Sequence, residues 1–83
     1  MSLQSDAKKA LKLMNSGQWL QLEGSVGRWV QGFIDAEYLV HDYDKTKKHG
    51  PVKFVDGYGR PRQQYWAKID WAKVHDDEWG YDG

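Results

Sequence analysis

Between positions 53 and 68 cations and aromatic rings are interleaved: Lys53, Phe54, Tyr58, Arg60, Arg62, Tyr65, Trp66 and Lys68. Ring faces stack on unpaired bases or on apolar side chains, and neighbouring cations neutralise phosphates or carboxylates. Residues of these types, this close together, offer the chemistry of non-covalent recognition. The charges are sorted along the chain. Residues 45–68 hold seven bases against one acid, Asp56, a net of +6. Residues 69–83 hold five acids against Lys73, and residues 18–44 hold five acids against Arg28, so each stretch sums to −4. The first seventeen residues add +2, and the 83-residue chain closes at zero. A polarised small chain has a basic and an acidic face to offer a partner.

Other chemistry has less behind it. His41 and His49 bracket Asp42-Tyr43-Asp44, and His75 precedes Asp76-Asp77, which supplies metal-binding atoms but no metal-binding spacing. A calcium loop opening at Asp42 needs Glu at its twelfth position, where the chain has Lys53. Three scattered histidines without cysteine do not make a zinc quartet. These residues read as strand-edge and solvated side chains, so no metal and no cofactor is expected. The chain also lacks a Gly-x-Ser-x-Gly elbow, a Gly-rich phosphate loop before a helix and a His-Glu-x-x-His pair. A core this small leaves little room for a deep, water-excluding cleft, and the expectation is a protein without catalytic residues.

Length sets that core. A chain of 83 residues is one domain and buries only about 60 to 65 % of the surface its unfolded form exposes. Five tryptophans and five tyrosines therefore have a plain use, because each buries roughly 150 to 250 Å². The absence of cysteine removes a disulfide framework and points to a reducing, cytoplasmic location. No apolar run is long enough for a signal peptide or a membrane span.

The elements that must position the rings are read from periodicity. Leu3, Ala7, Ala10, Leu11 and Met14 recur at helical spacing with lysines between them, which predicts a helix over 5–16, capped by Ser5 and stopped at Gly17. From Trp19 the period changes to two, which predicts a short strand. Strands over 28–34 and 37–43 follow, turning at Asp35-Ala36-Glu37. A helix from Ser25 is the rival reading, opposed by Gly27 and Gly32. Asp44 to Gly50 reads as a lysine-rich loop, Val52–Val55 as a strand, Asp56 to Pro61 as a turn and Gln63 to Ile69 as the returning strand. Asp70 can cap a last helical turn through Trp71 and Val74.

The expected architecture is α+β: one N-terminal helix packed on a small antiparallel sheet of four to five short strands, curling toward a half-open SH3-like or OB-like barrel. Residues 1–75 form this compact domain, and 76–83 form an acidic, aromatic tail that need not be ordered. The function expected is that of a small non-enzymatic adaptor or inhibitor, of a size found among phage and mobile-element accessory proteins. Its partner-binding residues are Trp29, Lys53, Tyr58, Arg60, Arg62, Tyr65, Trp66, Trp79 and Tyr81, and the partner expected is a protein. The alternative is a single-stranded nucleic-acid binder using the same hairpin. An unpaired edge in so small a sheet leaves a homodimer open. Whether the hairpin aromatics point inward or outward depends on register, since a slip of one residue exchanges the faces.

Overall fold

The computed structural model of the chain describes residues 2–22 and 24–80. Helix α1 (Leu3–Asn15) buries Leu3, Ala7, Ala10 and Met14 along one stripe, as the helical spacing requires. It starts two residues before the predicted boundary because Ser2, not Ser5, is the cap. The Ser2 hydroxyl accepts from the Ser5 N–H at 3.1 Å. At the other end Gly17 takes the predicted left-handed conformation, with φ of 77°. Packing needs glycine there as well, since a Cβ at Gly17 would overlap the Phe54 ring.

The strand expected from Trp19 is instead a 3₁₀ turn, Gln18–Leu20, closed by Gln21 N–H to the Gln18 carbonyl at 2.9 Å. The short alternating stretch pairs with no strand among the described residues, and Leu22 is exposed. Helix α2 (Gly24–Asp35) replaces the strand expected over 28–34, with Val30 and Phe33 buried on its inner stripe. Gly27 does not break it. A Cβ there would sit 3.1 Å from the Trp19 carbonyl oxygen, so glycine lets the helix lie close against the 3₁₀ turn. Asp35-Ala36-Glu37 does reverse the chain, but between a helix and a strand. Glu37 adopts φ of 66°, and the Glu37 and Tyr38 N–H groups donate to the carbonyls of Ile34 and Phe33 at 3.0 and 2.9 Å. This is a Schellman ending built on glutamate.

Strand β1 (Leu39–His41) is followed by helix α3 (Tyr43–His49), where a loop was expected. Asp42 caps α3 by accepting from the Lys45 N–H at 3.1 Å. The Thr46 hydroxyl donates to the Asp42 carbonyl at 2.8 Å and accepts the Trp66 N–H at 2.9 Å. Strands β2 (Val52–Val55) and β3 (Pro61–Gln64) form the predicted antiparallel hairpin, with Val52 opposite Gln64 and Val55 opposite Pro61. The returning strand does not run on to Ile69. It breaks at Tyr65-Trp66, and β4 (Ala67–Ile69) leaves to pair antiparallel with β1, Leu39 opposite Ile69. Helix α4 (Trp71–Asp77) is capped by Asp70 as anticipated, and a 3₁₀ turn, Glu78–Gly80, follows. Residues 76–80 of the predicted tail lie in these two elements, and Tyr81 lies outside the described residues.

The class is α+β with antiparallel pairing, and the arrangement differs from the expected one. Among the described residues, four α-helices accompany two separate two-stranded sheets, in place of one helix on a single sheet of four to five strands. No barrel closes among the described residues. The core lies where α1, α2 and α4 meet the β1–β4 pair, around Leu3, Val30, Phe33, Leu39 and Val74. The β2–β3 hairpin is attached beside that core. None of the described helices is long and apolar enough to cross a membrane.

Candidate functional site

Four contacts hold the hairpin onto the 3₁₀ turn and the end of α1. The Trp19 indole N–H donates to Gln64 Oε1 at 3.1 Å, and the Gln64 amide donates to the Met14 carbonyl. Gln21 donates to the Val55 carbonyl at 2.6 Å, and the Gly57 N–H to the Leu20 carbonyl at 3.1 Å. Cross-strand partners share a face of a pleated pair. Phe54 is opposite Arg62 and Val52 opposite Gln64, so these four side chains lie on one face. Lys53 and Gln63 pair on the other.

At the tip, Asp56 is a buried carboxylate that organises the loop. Its Oδ1 accepts the N–H groups of Tyr58 and Arg60 at 2.9 and 3.0 Å, while Oδ2 meets Arg62 Nη1 at 3.4 Å and Arg60 Nε at 3.6 Å. The Arg60 N–H bond is the largest cause holding its carboxyl below the ordinary range. The Tyr58 N–H and the two guanidiniums add to this, against partial desolvation. Gly59, at φ of 80°, completes the turn. A loop fixed this way presents Tyr58 at 86 % exposure, with the Arg60 guanidinium 5.3 Å from its ring centroid.

Beside the tip runs an open groove of about 650 Å³ between the hairpin, the 3₁₀ turn and α2. Trp19, Phe54 and Tyr58 supply its aromatic lining, and Arg28 and Arg62 its positive charge. The predicted residues Tyr58, Arg60 and Arg62, with Phe54 of the same interleaved stretch, therefore come together with Trp19 and Arg28, which were not expected at the site. The signal available for Arg28 was its position as the single base of an acidic stretch.

The other predicted residues among those described lie elsewhere. Trp29, on α2, meets Phe33 edge-on at 4.9 Å and is 38 % exposed. Trp66 is half-buried, with its indole N–H on the Gly50 carbonyl at 2.9 Å and Lys45 Nζ 4.1 Å from its ring centroid. Tyr65 belongs to a second aromatic group. It stacks on His41 at 4.8 Å between centroids and meets Tyr43 edge-on at 5.2 Å, while His41 and Tyr43 are 5.5 Å apart. Neither His41 nor Tyr43 was singled out as a ring for binding, because both read from sequence as residues at the end of a strand beside solvated acids. Trp79 is 96 % exposed at the far end of the chain.

One acid of the last helix, Asp77, is engaged structurally. Asp77 accepts from Lys73 at 3.0 Å and from the Tyr38 hydroxyl at 2.8 Å, tying α4 to the segment before β1. The Lys73 bond, then the Tyr38 bond, hold the Asp77 carboxyl low, and Asp77 in turn raises Lys73. Among the described residues no three histidine, aspartate or glutamate side chains converge in a way that could hold a metal ion. Comparison with known proteins finds no family model, no curated protein and no solved structure that matches the chain.

Proposed function

We propose that this chain is a non-enzymatic protein-binding module, an adaptor or inhibitor, and that its docking surface is the hairpin tip with the adjoining groove. The observation that carries this reading is the exposure of Tyr58 on a loop immobilised by a buried aspartate, above a groove lined by Trp19 and Phe54 and flanked by Arg28 and Arg62. Exposed aromatic and arginine side chains held rigidly lose little conformational entropy on binding, and Trp, Tyr and Arg dominate interface hot spots. The two guanidiniums favour a partner segment that brings carboxylates alongside an apolar side chain.

The test uses immobilised wild-type protein beside Tyr58→Ala and Arg28→Glu, with retained proteins identified and then measured singly. Both positions are exposed, so melting should stay within about 0.5 kcal/mol of wild type. Loss of a hot spot should weaken a true partner by roughly thirtyfold or more. A partner held equally by all three proteins would place the docking surface elsewhere.

A further inference from the structure

The rings of His41, Tyr43 and Tyr65 come from three different elements, the end of β1, the start of α3 and the link between β3 and β4. Apolar rings usually stack on one another to leave water, yet Tyr43 stays 63 % and Tyr65 48 % exposed after stacking. Tyr65 also walls a hollow of about 380 Å³, shared with Thr46, Pro51, Gln63 and Gln64. Bases follow Tyr43 along its helix and stand across the hairpin from the strand that leads to Tyr65. Lys47 follows Tyr43 by four residues, one turn along the same side of α3, with Lys48 and His49 after it. Across the hairpin, Lys53 is the strand partner of Gln63. Two acids are near in sequence. Asp42 is committed to capping α3, and Asp44 sits in its first turn, where the helix dipole favours negative charge.

We propose that the His41–Tyr43–Tyr65 group is a stacking platform for unpaired bases of single-stranded nucleic acid. Lys47, Lys48 and Lys53 neutralise phosphates on either side, and the Gln63 amide faces a base edge beside Tyr65. Ring faces open to solvent accept any base, while lysines flanking them on both sides follow a phosphate backbone. A duplex hides its base faces and cannot use the platform. This site is separate from the Tyr58 groove and does not depend on the protein-binding reading.

The experiment is fluorescence anisotropy with fluorescein-labelled, mixed-sequence DNA and RNA of roughly twelve nucleotides, and with a duplex of the same sequence, at two salt concentrations. Wild type should bind a single strand in preference to the duplex. With three phosphates neutralised, affinity should fall about twentyfold over a fourfold rise in salt. Tyr65→Ala and Tyr43→Ala should each weaken binding about tenfold, whereas Tyr65→Phe, which keeps the ring face, should bind like wild type. Lys47→Glu, at an exposed position, should weaken binding without altering melting, and Tyr58→Ala should bind like wild type. The tighter of DNA and RNA names the ligand. No binding at low salt, equal affinity for the duplex, or full affinity in alanine variants that melt normally would each overturn the proposal. None of those results bears on partner capture through the groove.

Discussion

Asp56 shows how one side chain shapes a surface. Its carboxylate takes two backbone N–H groups and two guanidiniums, so the Tyr58–Arg60 loop is held from within. A carboxyl held below its ordinary value of 3.8 stabilises the fold above that pH, and the contribution is lost as pH falls through the lowered value. Asp77 has the same sign, through Lys73 and Tyr38. Lys73 has the opposite one. Its raised value stabilises the fold below 10.5, and that contribution disappears as pH rises beyond it. The melting temperature should therefore be flat near neutrality, fall below about pH 4 and fall again in strong alkali. Asp56→Asn, which keeps the oxygen acceptor but cannot titrate, should flatten the acid limb when melting is followed against pH. An acid limb unchanged in this variant would assign it to other carboxylates.

At the scale of elements, the two glycines that argued against α2 turn out to be unlike. Gly27 lies against the Trp19 carbonyl, while a Cβ on Gly32 would meet nothing within 4 Å. Gly32→Ala should stabilise the protein by about 0.5 to 1 kcal/mol, since alanine lowers the entropy of the unfolded chain and fits an open helical site. Gly27→Ala should not show that gain, because its Cβ must push a backbone oxygen aside. Denaturant melts of the two variants give the difference directly. Helix α3 illustrates the other way an element hides from a sequence reading. Its residues have no apolar stripe, and it is held by the Asp42 cap and by Thr46 bonded to Trp66, a partner twenty residues away. Helix α1 and the β2–β3 hairpin were legible because an apolar stripe in one and turn residues at Asp56-Gly57 and Gly59 in the other carry their own signal.

Across the whole molecule, the first helix is joined to a strand more than fifty positions later through Asn15. Its side chain donates to the Ala67 carbonyl at 3.1 Å and accepts the Ala67 N–H at 2.8 Å, taking the place of a neighbouring strand. Asn15→Ala should cost about 2 kcal/mol or more, because it leaves both backbone groups of a buried residue without partners. Urea titration by far-ultraviolet dichroism would measure it, and a loss under 0.5 kcal/mol would mean that water replaces both bonds. By itself the sequence determined the α+β class with antiparallel pairing, the N-terminal helix, the hairpin and the grouping of Tyr58 with Arg60 and Arg62. Those features rest on local periodicity, on turn chemistry and on neighbours in the chain. Only the tertiary structure decided that 24–35 is helical, that the strand breaks at Tyr65 and that β4 pairs with β1. It also brought Arg28 and Trp19 to one aromatic surface and His41 and Tyr43 to the other. Each of these depends on a contact between residues far apart in sequence, where closing the loop is rewarded by a partner that no local pattern records.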